Sequence, residues 1–177
     1  MLFRSGIILF AKNSFSQELL IRQMNSKTFL KEYIGIVTGI VKDTKGTLNL
    51  PIERKEGSIM LRHISPSGDK SITHFETIEV LINASFLKFR LETGRTHQIR
   101  VHCQAIGHPL LGDTLYPYLD VSQTPEIFRS IDGDKIYYEI GNGTPTYTPP
   151  IAQNQNNPPA LDIIERQALH SYRMEFI

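Results

Sequence analysis

Tryptophan is absent from this 177-residue chain, and cysteine occurs once, at Cys103. A single thiol cannot close an intrachain disulfide, so packing alone must hold the fold, and the composition suits a reducing compartment. An excess of either charge is also lacking: 19 Lys and Arg stand against 18 Asp and Glu, a formal net charge of +1. A chain so close to neutral has no global field for a polyanion, so any nucleic-acid contact must come from a local patch. No apolar run approaches membrane-spanning length. The opening MLFRSGIILFAK holds an apolar run, Gly6 to Ala11, too short for a secretory signal and followed by no small-residue cleavage pattern. It is read as a core strand buried on both faces, with a cytoplasmic location by default and no membrane partner.

What is present is an ordinary apolar fraction, 40%, enough to bury one core in a single domain of this length. After the opening run, NSFSQELLIRQMNS reads as a helix with Ser14 as N-cap and Leu20, Ile21 and Met24 on one stripe. KEYIGIVTGIV is rich in β-branched residues and reads as a strand ending near Gly39. Residues 43–58 are rich in turn formers and read as a loop with one short strand. Two strands follow, about Ser71 to Leu81 and Ser85 to Glu92. In the second, Leu87, Phe89 and Leu91 share one face while Lys88 and Arg90 share the other, as in a half-buried strand with a basic exposed face. A helix is expected from about Thr96 to Gly107, a good left-handed terminator. Residues 117–160 include a proline- and asparagine-rich stretch without Asp, Glu, Lys or Arg from 141 to 160, and read as a flexible surface insertion. RQALHSYRMEFI returns as a strand. Strand runs broken by two helices predict an α+β domain around an antiparallel or mixed sheet.

The densest chemistry lies in LETGRTHQIRVH, residues 91–102. Gly94 permits a sharp strand-to-helix turn, and Thr93 and Thr96 can cap the free amides of the new helix. Arg95 adds a guanidinium fork to a helix end that already favours anions. Lys88, Arg90, Arg95 and Arg100 face only Glu92 over this stretch, which makes it the candidate basic patch. If Ile99 and Cys103 pack beneath the helix, Arg100 turns toward the sheet and requires an acceptor, commonly a carboxylate. Competing readings are a capped helix with solvated arginines, a zinc site, and a cysteine nucleophile. The spacings of His97, His102 and His108, five and six, do not match the usual helical ligand spacing of four, and no second thiol accompanies Cys103. No metal is expected, and Cys103 is read as a small core residue.

The segment RLETGRTHQIRVHCQAIGHPLLGDTLYP resembles the most characteristic stretch of the RluA-type RNA pseudouridine synthases. SGIILFAKN, KEYIGIVTG, LPIERKEGSIMLRHISPSGDKSITHFETIEV and RQALHSYRMEF resemble further family segments, leaving only the proline-rich insertion outside the likeness. The resemblance implies a pseudouridine synthase catalytic-domain fold and isomerisation of uridine to pseudouridine in ribosomal or transfer RNA. It further implies no cofactor, RNA and not DNA as partner, and a monomer. The base leaves the sugar at N1, turns over, and rejoins through C5, with an aspartate supplying the covalent chemistry. The target must be swung out of its stack. By the resemblance, Tyr33 stacks on the extruded base and Arg100 pairs with the nucleophilic aspartate. Arg95, His97, Gln98, Thr93, Lys88 and Arg90 are the expected RNA contacts.

The family's nucleophile sits in the pattern Arg-Leu-Asp-x-x-Thr-Ser-Gly. Ser5 and Gly6 fit its end, Arg4 stands where threonine is expected, and the aspartate position falls on Met1. Residues 1–177 are therefore expected to form an incomplete catalytic domain, a fragment with little or no activity. The alternative is an RNA-binding protein that has lost catalysis. Asp43, Asp69 and Asp113 are not expected to replace the nucleophile.

Overall fold

The structure, a computed structural model, describes residues 5–26, 28–119, 125–141, 147 and 167–175. In chain order the elements are β1 (Ser5–Gly6), α1 (Ser14–Asn25), β2 (Leu30–Thr38), β3 (Lys45–Asn49), β4 (Ile52–Arg54), β5 (Arg62–Ile64), β6 (Ile72–Val80), β7 (Ala84–Leu91), α2 (Gln98–Ala105), β8 (Ile127–Asp132), β9 (Lys135–Ile140) and β10 (Leu169–Glu175). Eight strands form one mixed sheet in the order β1-β10-β2-β7-β6-β3-β9-β8, and β4 and β5 form a separate two-stranded ribbon. The β1–β10 and β3–β9 pairs are parallel and the other pairs antiparallel. The α+β expectation holds.

The alternation read in β7 is what the sheet uses. Ser85, Leu87 and Phe89 are buried, while Lys88 and Arg90 point to the opposite face. Leu48, Phe75, Leu87 and Phe89 join Val37 and Ile99 in one core between the sheet and α2. Burying each such large side chain is worth about 1.5–3 kcal/mol. α2 is buried at seven of its eight residues, so its polar members must find partners inside the protein. It stops before Gly107, whose φ of +72° is the left-handed conformation expected there.

Several expectations need correction. The run Ile7 to Phe10 is not a core strand: β1 ends at Gly6, and Ile8 and Phe10 are 68% and 81% exposed. An apolar run says that cover is favourable, not that a neighbour supplies it; here, among the described residues, β1 is an edge strand paired with β10 alone. Gly6 is required at that edge, because its φ is +115° and a Cβ would come within 2.4 Å of the Ser171 carbonyl oxygen. α1 is capped by Asn13, whose Oδ1 accepts from the Ser16 amide at 2.8 Å, and not by Ser14; none of its residues is buried. Residues 43–58 hold two strands, and β3 lies inside the main sheet with Leu48 fully buried. Its β6 and β9 neighbours override weak local propensity. The expected insertion likewise contains the β8–β9 hairpin, which contributes Ile127 and Tyr138 to the core. That hairpin is tied back by Asp43, which accepts Arg129 Nε at 3.0 Å, Arg129 Nη2 at 2.6 Å and the Tyr138 hydroxyl. The rest of the expected insertion, at 120–124, 142–146 and 148–160, lies outside the described residues.

Candidate active-site cleft

Period-two alternation places Lys31, Tyr33 and, through the β2–β7 register, Phe89 on one face of the sheet, and Glu32 and Arg90 on the other. On the first face a cleft of about 810 Å³ opens between the sheet, α1 and the start of α2. Tyr33, Lys31, Arg95, His97, Arg100 and Ser171 all line it. Most of the remaining wall is apolar, including Ile21 and Met24 of α1, so the stripe read in that helix faces the cleft. Few polar groups converging in an apolar cavity of this size is the usual form of a small-ligand site. Among the described lining residues there is no carboxylate.

Arg100 is 3% exposed and does require the acceptor expected of it. The acceptor is Asp113: Nε donates to Oδ2 at 2.7 Å and Nη2 to Oδ1 at 2.5 Å. Asp113 Oδ1 also takes the amides of Leu115 and Tyr116, each at 3.1 Å, so the carboxylate is fixed by its own loop. The Tyr116 ring lies 4.7 Å from the guanidinium carbon and covers one face. The guanidinium therefore already has a counter-ion within the chain. One donor atom is left over: Nη1 is buried and meets no acceptor among the described residues. Two other buried polar atoms of the cleft wall, Ser171 Oγ and Gln167 Oε1, are likewise unmatched. Unpaired buried polar atoms are costly, and three of them in one cavity wall mark a place for a polar ligand.

The expected RNA contacts separate into three groups. Gln98 spends itself inside the protein: Oε1 accepts from Thr93 Oγ1 at 2.8 Å and the Arg95 amide at 2.9 Å, while Nε2 donates to the Ile72 carbonyl at 3.0 Å and to Thr73 Oγ1 at 2.9 Å. Thr93 Oγ1 also accepts from the Ile72 amide at 2.9 Å, so Thr93 and Gln98 staple the junction to β6. Neither Thr93 nor Thr96 caps the helix. The N-cap is His97, held at φ +58° with Nδ1 and the Tyr116 hydroxyl sharing a 2.8 Å hydrogen bond.

Lys88 and Arg90 lie on the far face, away from Tyr33 and Arg100. The far-face groove they line is not basic. Lys88 Nζ is 2.8 Å from Glu32 Oε1, and Glu76, Glu92 and Glu139 line the same surface. The single patch expected over 88–100 is thus divided between two faces, because a strand turns alternate residues to opposite sides. Arg95 alone of its four cations is both cleft-lining and partly exposed, with Nη1 3.4 Å from Asp69 Oδ2.

Three contributors to the cleft were missed. Lys31 is two residues before Tyr33, and the same alternation that exposes Tyr33 to the cleft exposes it too; burial lowers its pKa. A Cβ on Gly94 would lie 3.1 Å from Lys31 Nζ, so this glycine leaves room for the ammonium. Ser171 and Gln167 arrive from β10 and its approach, and no local pattern marked them. His102 and His108 do not approach a common centre with His97. His102 Nε2 donates to the Leu50 carbonyl at 2.9 Å and His108 Nδ1 to the Thr38 carbonyl at 2.8 Å. Burial pushes the His102 pKa down to about 4 and lowers that of His108. Among the described residues no group of three His, Cys, Asp or Glu could hold a metal ion. Cys103 is fully buried, and burial raises its thiol pKa far above the ordinary value. Met1, where the nucleophile's position falls, lies outside the described residues.

A family model described as RNA pseudouridylate synthase matches residues 4–105. An uncharacterized RNA pseudouridine synthase of Bacillus subtilis is 42% identical over 114 residues, which is 63% of this chain and 38% of that protein. Ribosomal large subunit pseudouridine synthase D of Haemophilus influenzae is 40% identical over 113 residues, 63% of this chain and 34% of that protein. The matched part thus amounts to little more than a third of either relative. Among solved structures, human RNA pseudouridylate synthase domain containing 1 superposes with a TM-score of 0.61 at 22% identity, covering 93% of this chain and 56% of that one. At that identity the likeness speaks for the fold.

Proposed function

Since the chain belongs to the RNA pseudouridylate synthase family, we propose that its cleft receives a uridine extruded from ribosomal or transfer RNA, in a cytoplasmic setting. In the isomerisation the N1–C1′ bond breaks, the base rotates, and C5 bonds to C1′ while the C5 proton passes to water and N1 gains a proton. Tyr33 on the open side of the cleft supplies a stacking face for the base. Arg95 and Lys31 supply positive charge near the entry.

The observation that carries the reading is the leftover Nη1 of Arg100, buried in the wall that also holds Tyr33. Asp113 takes two donors and aligns the guanidinium, and the third is held ready for a carboxylate or a base oxygen. No described lining residue supplies that carboxylate, and position 1 is Met. We therefore propose that the 177 residues alone bind RNA as a monomer and isomerise uridine slowly or not at all. Fusing the family's Arg-Leu-Asp-x-x-Thr segment ahead of Ser5 restores the reaction.

Tritium release from RNA labelled at uracil C5 tests both halves. The unmodified chain is expected to release background counts, and the fused chain to release well above background. Substantial release by the unmodified chain would overturn the inactivity proposal. A fused, folded chain that binds RNA yet stays silent, with or without Arg100→Ala, would overturn the catalytic reading of the cleft.

A further inference from the structure

The β4–β5 ribbon stands apart from the main sheet and carries a charge arrangement that its own stability does not favour. Arg54 and Arg62 are directly opposed in its register, and like charges so placed repel. Each gives part of its guanidinium to the loop: Arg54 Nε donates to the Ser58 carbonyl at 2.8 Å, and Arg62 Nη1 to the Leu61 carbonyl at 3.0 Å. Among the described residues neither makes an ion pair with a carboxylate, and Glu53, next to Arg54 in the ribbon, accepts the Ser67 Oγ at 2.9 Å. Both arginines line a groove that Gly94, Arg95 and Thr96 also line, together with the carboxylates of Glu53 and Asp69. Arg95 Nη1 lies 3.4 Å from Asp69 Oδ2, a pair that a phosphate would have to displace. Arg95 also lines the Tyr33 cleft, so the groove and the cleft meet at this one side chain.

The loop joining the two strands, residues 55–61, carries two adjacent apolar residues, Ile59 and Met60, 81% and 50% exposed, after the exposed Lys55 and Glu56. The ribbon is firmly mounted. Ile52, Leu61 and Ile64 pack with Val101 and Tyr116, and the Tyr116 hydroxyl accepts the Arg62 amide at 3.0 Å. A mounted arm with opposed cations at the end of its stem and exposed apolar residues in its connecting loop has the chemistry of an element that tracks a phosphate backbone and presses an apolar wedge between bases.

We propose that this ribbon is an RNA-gripping arm: Arg54, Arg62 and Arg95 take successive phosphates beside the target uridine, and Ile59 and Met60 wedge into the neighbouring stack to ease extrusion. The proposal rests on RNA being the ligand of the cleft. It assigns the flanking strand, not the reacting base, to the ribbon.

A fluorescein-labelled RNA stem-loop, followed by anisotropy over a salt series, provides the test, with 2-aminopurine next to the loop uridine as a stacking reporter. Arg54→Gln/Arg62→Gln is preferred to the alanine pair because it keeps side-chain N–H donors for the loop carbonyls. It is expected to weaken binding about ten-fold and to reduce the salt slope by about 1.4–1.8, the share of two phosphates. Ile59→Ser/Met60→Ser is expected to keep that slope and to lose the 2-aminopurine fluorescence rise that the unmodified protein produces. If the protein binds RNA but the arginine variant matches it in affinity and slope, the arm is overturned while the cleft reading stands. If the serine variant keeps the full fluorescence rise, the wedge is overturned. If the unmodified protein has no affinity for the RNA at low salt, both the arm and the RNA reading fall.

Discussion

Arg100 and Asp113 meet through two parallel hydrogen bonds at 2.7 and 2.5 Å, with both side chains almost wholly buried. The pair fixes the plane of the guanidinium and leaves Nη1 over, so the same contact is a structural anchor and the frame of the cleft.

Breaking this pair from one side leaves an uncompensated buried charge. Asp113→Ala is expected to cost about 3–5 kcal/mol in urea unfolding, a large part of a typical domain's stability. Arg100→Met/Asp113→Leu, which removes both charges, is expected to be more stable than Asp113→Ala alone. A double variant no better than the single one contradicts this account.

Gln98 joins four partners at the strand-to-helix junction. Gln98→Ala strands donors and acceptors in a buried place and is expected to cost about 2 kcal/mol. Amide hydrogen exchange should quicken at Arg95, whose N–H loses its acceptor. Unchanged exchange there would show that the staple is dispensable.

Acid should weaken the fold through His102. Its folded pKa of about 4 lies below the ordinary 6.5, so below pH 6.5 the unfolded chain takes up a proton that the folded chain refuses. Stability is full above pH 6.5, falls as pH drops, and the loss from this group levels off near pH 4 at roughly 3 kcal/mol. His102→Gln, which keeps a donor for the Leu50 carbonyl, is expected to be less stable at pH 7 but to have a flatter profile. An equal slope in both proteins would assign the acid sensitivity elsewhere.

Lys88 and Arg90 should matter little to RNA. They face a groove shared with Glu32, Glu76 and Glu92, on the opposite side of the sheet from Tyr33. Lys88→Ala/Arg90→Ala is expected to change RNA affinity less than two-fold, against a clear loss and a salt slope lower by about 0.7–0.9 for Arg95→Ala. The reverse ranking would move the RNA surface to the far face.

Much of the sheet is legible in the sequence itself. The β2 strand, the β6–β7 pair, the buried face of β7 and the stop at Gly107 all follow from local periodicity and turn chemistry. β3 was not legible, since KGTLN has weak strand propensity and is held by neighbours distant in sequence. The exposed Ile7 to Phe10 segment misled for the converse reason: apolarity is a property of residues, and cover is a property of the assembly around them.

The residues themselves determined that α2 would carry an arginine unable to remain without an acceptor, and that Tyr33 would stand one alternation away from Glu32. Only the folded chain decided that the acceptor is Asp113, that Lys88 and Arg90 turn from the cleft, and that Arg95 joins it to the ribbon groove. Side-chain periodicity is set within a few residues by backbone geometry. The choice among several possible partners is set by which loops and strands the core brings together, and that depends on contacts between residues far apart in the chain.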